Sequence, residues 1–410
     1  VSRAVEVNGR RYRWPSRPVV VVCVDGCEPA YLDEACAAGA MPWLAALGAG
    51  PPWPLAEAVV PTFTNPNNLS IVTGVAPAVH GICGNYFLDP ASGEEVLMNE
   101  PRFLRAPTLL AAFAAAGARV AVVTAKDKLR RLLGHGLEPR RDASVCLSAE
   151  RADEARAASH GVGGVLEALG MGLPSVYSAA LSELVLAAGC WLLETRRPDL
   201  SYLSTTDYVQ HKHPPGSPEA NAFYRMLDGY LARLAALGAR VVVTADHGMS
   251  AKHDEHGAPR VLYLQERLDA ALGARRAQVI LPITDPYVAH HGALGGFATV
   301  YLREGASEGQ ARAALAGEAG IEALLGRDEA CRRYALPPDR TGDLVVLAEA
   351  GTVLGRRPAD HDLGGLDRPL RSHGGLSERR VPLICTHPPA RLSTARGLRN
   401  YDAFDVALNE

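Results

Sequence analysis

The chain has 410 residues, 48% hydrophobic and 21% charged, an ordinary globular composition long enough for one large domain with an insertion, or for two domains. Its 42 basic and 45 acidic residues leave a formal net charge of -3, which excludes the global positive field of a nucleic-acid or anionic-membrane binder, so attraction for an anionic ligand must be local. No run of about 18 apolar residues occurs, the first residues hold no apolar signal core, and the eight cysteines form no CxxC pair; the expectation is a soluble cytoplasmic protein with reduced thiols.

Pro18 to Val24 is the first of four short β-branched runs that stop abruptly at polar residues, here Asp25-Gly26. Continuous apolar runs of this length read as strands buried on both faces. Asp25 reaches a cation from the strand's end, with Gly26 turning the backbone, or it caps the next helix. Helices are expected over Ala30 to Gly39 and Pro42 to Leu47. In Pro61-Thr62-Phe63-Thr64-Asn65-Pro66-Asn67-Asn68, Pro66 and the helix-like run behind it place Thr64 near a helix N-cap. It is there either as an ordinary cap or as a hydroxyl meeting a phosphoryl group, where free N–H groups and the helix dipole favour an anion.

A helix over Thr108 to Ala116 leads to the second run, Arg119 to Val123, which ends in Thr124-Ala125-Lys126-Asp127-Lys128. Lys126 and Lys128 read as contacts to an anion, or as a solvated helix start continued by Arg130 and Arg131. A long helix over Ser178 to Arg196 precedes the third run, Leu200 to Ser204, and then Asp207 and His211. Four apart on a helical turn, these two share a face and can bind one metal, or they form a solvated turn. His213, two residues beyond His211, faces away. After a helix over Asn221 to Leu237, the fourth run, Ala239 to Val243, precedes Asp246-His247-Gly248. This pair has little purpose in a core, and Gly248 lets both side chains converge on a metal.

Residues 251–370 differ in texture, with a strand over Phe297 to Leu302, a helix over Glu308 to Leu325 and a strand over Asp343 to Leu347. They read as a smaller α+β cap inserted into a core of residues 1–250 and 371–410. His373, before Gly374-Gly375, lies in a loop suited to a site, but pattern alone does not separate it from His253, His256, His290, His291 and His361. The alternation of strands and helices predicts an α/β fold with a mostly parallel central sheet flanked by helices. Ligands of such sheets gather beyond the carboxyl ends of strands, where Asp25, Asp207 and Asp246 fall.

The stretch Pro61 to Asn85 contains Thr62, Thr64, Pro66-Asn67, Ser70-Ile71-Val72-Thr73-Gly74, Pro77, His80-Gly81-Ile82 and Asn85. It resembles the nucleotide pyrophosphatase/phosphodiesterase-like branch of the alkaline phosphatase superfamily, and the candidate metal ligands stand in that family's order. Within the branch, the basic segment Thr124 to Arg130 resembles the phosphonoacetate hydrolase family. The resemblance spans most of positions 18 to 387. It implies an alkaline phosphatase-like core and two zinc ions per chain, one held by Asp25, Asp246 and His247 with Thr64 bound to it, the other by Asp207, His211 and His373. Manganese or iron suits the same nitrogen and oxygen ligands.

The resemblance further implies Thr64 as a nucleophile that forms a phosphothreonine. Asn85, Lys126 and Lys128 would contact a small anionic phosphonate, whose carbon–phosphorus bond is cleaved to acetate and phosphate. A nucleotide pyrophosphatase or phosphodiesterase using the same site is the alternative, with Phe63 and Tyr208 lining a slot for a base. A phosphomutase or phosphomonoesterase more often presents serine, and a structural zinc module favours cysteine ligands. Neither nucleic acid nor membrane is expected as a partner, and the sequence leaves a homodimer open.

Overall fold

The computed structural model describes residues 3–47, 53–140, 143–283, 294–361, 363–364, 366–387 and 397–409. Seven strands form the central sheet, in the order Leu55–Glu57, Arg380–Cys385, Arg240–Thr244, Val19–Cys23, Leu200–Ser204, Val120–Thr124, Ser144–Ser148. The last five pair in parallel, and Arg380–Cys385 runs against both of its neighbours. The sheet is therefore mixed but mostly parallel. Every residue of Val19–Cys23, Val120–Thr124 and Leu200–Ser204 is buried, which is why the first two read as near-continuous apolar runs rather than alternating ones, while the third buries Ser201 and Ser204 as well.

Helices cover the sheet. Ala179–Arg196 packs on Val120–Thr124, on Leu200–Ser204 and against the helix Pro218–Ala236, while Ala403–Leu408 packs on Arg240–Thr244 and Val19–Cys23. No helix among the described residues is long and apolar enough to cross a membrane.

A second, antiparallel sheet has the order Ala277–Ile280, Phe297–Leu302, Leu344–Ala348, Ile321–Gly326. Here one expectation fails: the helix expected over Glu308 to Leu325 ends at Leu315. Ser307 and Gln310 close a capping box at its start, but Gly320 adopts φ +96, a conformation costly to other residues. The chain turns there, and Ile321–Gly326 pairs with Leu344–Ala348 around a bulge between Ile321 and Ala323. Pairing to a preformed strand outweighs the helical preference of the alanines and leucines.

Candidate active site

Four neighbouring parallel strands deliver the site from their carboxyl ends. Asp25 follows Val19–Cys23, Lys126 follows Val120–Thr124, Asp207 follows Leu200–Ser204 and Asp246 follows Arg240–Thr244. Thr64 is the first residue of the helix Thr64–Thr73, with Phe63 as its N-cap, and every residue from Asn65 to Thr73 is buried. A helix this deep carries asparagines because their amides have partners. Asn67 donates to the carbonyls of Val59, Pro61 and Phe63. Asn68 donates to Thr64 O at 3.0 Å and to Asp246 Oδ2 at 3.1 Å, and accepts from Tyr202 Oη and Ser204 Oγ.

His373 sits on the turn after Arg371–Ser372, a short strand that pairs with Ser250–Ala251. A side chain at Gly374 (φ +115) would place its Cβ 2.4 Å from Phe63 Cε1, so only glycine lets this loop close over the start of the Thr64–Thr73 helix.

Two groups of potential metal ligands form: Asp207, His211 and His373, and Asp25, Asp207 and His247. The first is the set implied for one zinc. The second differs from the implied set in containing Asp207 where Asp246 was expected. Asp246 Oδ1 accepts the N–H groups of Gly26 and His247, and its Oδ2 accepts from Asn68, which turns the carboxylate toward these donors while Oδ2 stays 3.7 Å from His247 Nε2.

The three imidazoles are oriented alike. Nδ1 of His211 lies 2.9 Å from Arg371 O, Nδ1 of His247 2.9 Å from Gly248 O, and Nδ1 of His373 2.8 Å from Thr62 O. A carbonyl only accepts, so each Nδ1 carries a proton and each Nε2 faces the centre, where its deprotonated form is a metal ligand. His211 Nε2 is 3.0 Å from Asp207 Oδ2, His247 Nε2 is 3.3 Å from Asp25 Oδ1, and Thr64 Oγ1 is 3.5 Å from His247 Nε2. This outer hydrogen bonding is what metal-binding histidines use.

The electrostatics call for a cation. Burial, then the charges of Asp207 and Asp246, pushes the Asp25 carboxyl well above the usual carboxylate range. Burial and Asp207 raise Asp246 to about 6. Burial also opposes the charge of Asp207, but His211, Lys126 and His373 outweigh it and hold this carboxyl below its ordinary value. Burial lowers His247 to about 4. Three buried carboxylates this close all ionise only when positive charge sits among them. Among the described residues, Asp25 Oδ1 and Asp207 Oδ1 are buried and find no hydrogen-bond donor, as oxygens reserved for a cation would.

Beside this cluster opens a cavity of about 950 Å³, lined by Asp25, Thr64, Asn85, Lys126 and Lys128 among others. Lys126 Nζ lies 3.9 Å from Asp207 Oδ1. Lys128 is exposed. Asn85 Oδ1 accepts the N–H of Asn65 at 3.0 Å, which ties Asn85 to the first turn of the Thr64–Thr73 helix.

Phe63 and Tyr208, expected to line an apolar slot, are not on the cavity wall. Phe63 is fully buried against Phe297 and His373, and the apolar and aromatic lining comes from Tyr86, Leu97, Leu129, Val176, Tyr177, Leu281 and Ile283. Of the competing imidazoles, His361 lines the outer cavity, where its Nε2 accepts from Arg356 N. His253 bonds Asp254 O, and His256 is exposed. His290 and His291 lie outside the described residues. His213 lies 3.5 Å from Glu219 Oε2, away from the cluster.

Sequence reasoning passed over Asn68, which joins Asp246 to the Thr64 turn, and Glu378, whose carboxylate accepts Gly375 N at 2.9 Å. The paired Asn67-Asn68 inside a helical run was the available signal for the first.

The family model for type I phosphodiesterase / nucleotide pyrophosphatase matches residues 19–376. The fold is similar to crystal structures of phosphonoacetate hydrolase from Sinorhizobium meliloti 1021. The complex with phosphonoformate is 57% identical, covers 100% of this chain and 99% of that one, and has a TM-score of 0.96. The complex with phosphonoacetate is 56% identical, with the same coverage and TM-score 0.96. Murine ectonucleotide pyrophosphatase / phosphodiesterase 5 shares the fold at 18% identity, with TM-score 0.61, over 95% of this chain and 93% of that one. A stretch of 48 residues is 42% identical to an uncharacterized pyrophosphatase/phosphodiesterase of Schizosaccharomyces pombe, covering 12% of this chain and 10% of that protein. The chain belongs to the type I phosphodiesterase / nucleotide pyrophosphatase family of the alkaline phosphatase superfamily, and within it groups with phosphonoacetate hydrolase.

Proposed function

We propose that this protein is a two-metal hydrolase that splits phosphonoacetate into acetate and phosphate through a phosphothreonine at Thr64. The observation that carries the reading is the trio of imidazoles, each donating Nδ1–H to a backbone carbonyl and turning Nε2 toward Asp25, Asp207 and Thr64. Asp207, His211 and His373 would hold one divalent cation. Asp25, Asp246, His247 and Thr64 would hold the other, with the Asp246 carboxylate turning from its backbone donors. Zinc fits this set, and manganese or iron is accepted by the same ligands. When bound, the cation pair neutralises phosphonyl oxygens and lowers the pKa of a hydroxyl.

Thr64 gives its hydroxyl proton to solvent, Oγ1 attacks phosphorus and the phosphorus–carbon bond breaks. Its electron pair leaves on the acetate carbon as an enolate-like carbanion, and a proton from solvent completes acetate. Water then attacks phosphorus, the bond to Oγ1 breaks, and Thr64 regains its proton as phosphate departs. Lys126 and Lys128 meet the substrate carboxylate, onto which charge moves as the carbon leaves. Asn85 and the start of the Thr64–Thr73 helix favour the phosphonyl oxygens. Residues 251–370 act as a cap: Leu281, Ile283, Arg356, Asp360 and His361 of this segment line the cavity.

A second reading, hydrolysis of phosphate diesters at the same centre, draws support from the size of the cavity and from Tyr86, Leu97 and Tyr177 on its wall. The deciding experiment incubates the zinc-loaded protein with phosphonoacetate, a nucleotide diester and an aryl phosphate, and measures acetate and phosphate. Acetate and phosphate released together from phosphonoacetate support the first reading. Turnover of the diester alone favours the second.

A further inference from the structure

The loops of His247 and His373 come from distant parts of the chain, yet both are tied to Glu378. Its backbone carbonyl accepts the N–H of Gly248 at 2.8 Å, directly after His247. Its Oε2 accepts the N–H of Gly375 at 2.9 Å, just beyond His373. Its other carboxylate oxygen, Oε1, accepts from Ser250 Oγ, from Ser377 Oγ at 2.7 Å and from Lys252 Nζ at 2.9 Å. Glu378 and Lys252 are each 1% exposed.

A buried ion pair is a poor source of net stability, because apolar residues of similar volume often do as well. A carboxylate with both oxygens occupied is, however, a rigid joint. The two rings it supports stack with centroids 3.7 Å apart and planes 8° apart. In the two-metal reading these rings serve different cations, so whatever fixes the two loops relative to each other also fixes the distance between the cations. Partners in this outer layer typically change metal affinity ten- to hundredfold.

We propose that Glu378 is a positioning residue that sets the spacing of the two cation sites by joining the His247 and His373 loops, with Lys252 as its buried counter-charge. The inference rests on the two-metal reading above. An amide offers one acceptor oxygen and an NH₂ that only donates, so glutamine can accept from Gly375 N–H or from the two serine hydroxyls but not from all three as the carboxylate does. Aspartate keeps a charge for Lys252 but draws the carboxylate back from Gly375.

The test loads wild-type protein, Glu378→Asp and the double variant Lys252→Met/Glu378→Gln with Co²⁺ alone. Titration calorimetry measures the affinity of each equivalent, and electron paramagnetic resonance measures the spin coupling between them. The expected result is two Co²⁺ per wild-type chain with coupled spins. In both variants the second equivalent binds about ten- to hundredfold more weakly and the coupling falls. The double variant nevertheless stays folded, since it leaves no buried charge unpaired. Wild-type second-site affinity and coupling in either folded variant overturn the positioning role, with the milder Glu378→Asp deciding if the double variant does not fold. Fewer than two Co²⁺ on the wild-type chain overturn the two-metal reading, and the positioning role with it.

Discussion

Replacing Asn68 with alanine tests whether the Thr64–Thr73 helix and the cluster of buried carboxylates and imidazoles are one unit. The side chain donates to Thr64 O and to Asp246 Oδ2 and accepts from Tyr202 Oη and Ser204 Oγ, all within a fully buried position. Three neutral hydrogen bonds at about 1 kcal/mol each and one to a carboxylate at about 2 kcal/mol sum to about 5 kcal/mol. Water entering the space left by the amide satisfies some of the stranded groups, so Asn68→Ala is expected to cost about 3–5 kcal/mol. That is a large share of the about 5–15 kcal/mol by which folded domains are held. Urea unfolding of the chelator-treated protein, followed by circular dichroism, reads this as a fall in midpoint at unchanged slope. A loss below about 1 kcal/mol would refute the reasoning, because it would mean that the four bonds are no better than those the chain makes with water.

Three further outcomes are expected. Lys126→Ala or Lys128→Ala lowers kcat/KM for phosphonoacetate roughly 10²- to 10³-fold, the usual effect of losing a preorganised group at developing charge, while an aryl phosphate loses less than about tenfold because its leaving group needs no such help; equal losses on both substrates contradict the role. Burial works against the Glu378 carboxylate, but Lys252 and the hydroxyls of Ser250 and Ser377 outweigh it and hold the group down at about 2. Its contribution is therefore full above the ordinary carboxylate value and is lost as pH falls toward about 2, so melting temperature against pH is expected to decline more steeply there in wild type than in Lys252→Met/Glu378→Gln. Chelation leaves Asp25, Asp207 and Asp246 facing one another without a cation, so a chelator lowers the melting temperature and added Zn²⁺ restores it; a melting temperature indifferent to both contradicts the assignment.

Much of the architecture was legible because three core strands are valine-rich runs followed by polar residues, as in Val19–Cys23 before Asp25 and Arg240–Thr244 before Asp246. The strand Ile321–Gly326 was not, since its alanine and leucines suit a helix equally and only pairing with Leu344–Ala348 decides. The hairpin of Ala4–Val7 and Arg10–Arg13 was signalled by Asn8-Gly9, both at positive φ, yet its mixed charges hide the alternation of buried Val5 and Val7. Within the site, Asp246-His247 stands out by its own local oddity. His373 does not, because what distinguishes it from His361 is whether the ring donates to Thr62 O or accepts from Arg356 N. Asn68, Lys252 and Glu378 act through partners remote in the chain, and no local pattern records such contacts.

The central claim is that Thr64 itself carries the phosphoryl group. Rapid acid quench of the zinc-loaded enzyme turning over phosphonoacetate, followed by peptide mass spectrometry, tests it most directly. A phosphate adduct on Thr64, absent in a Thr64→Ala protein that no longer releases acetate, is the expected result. Acetate release by Thr64→Ala, with no adduct on the wild-type residue, would contradict it.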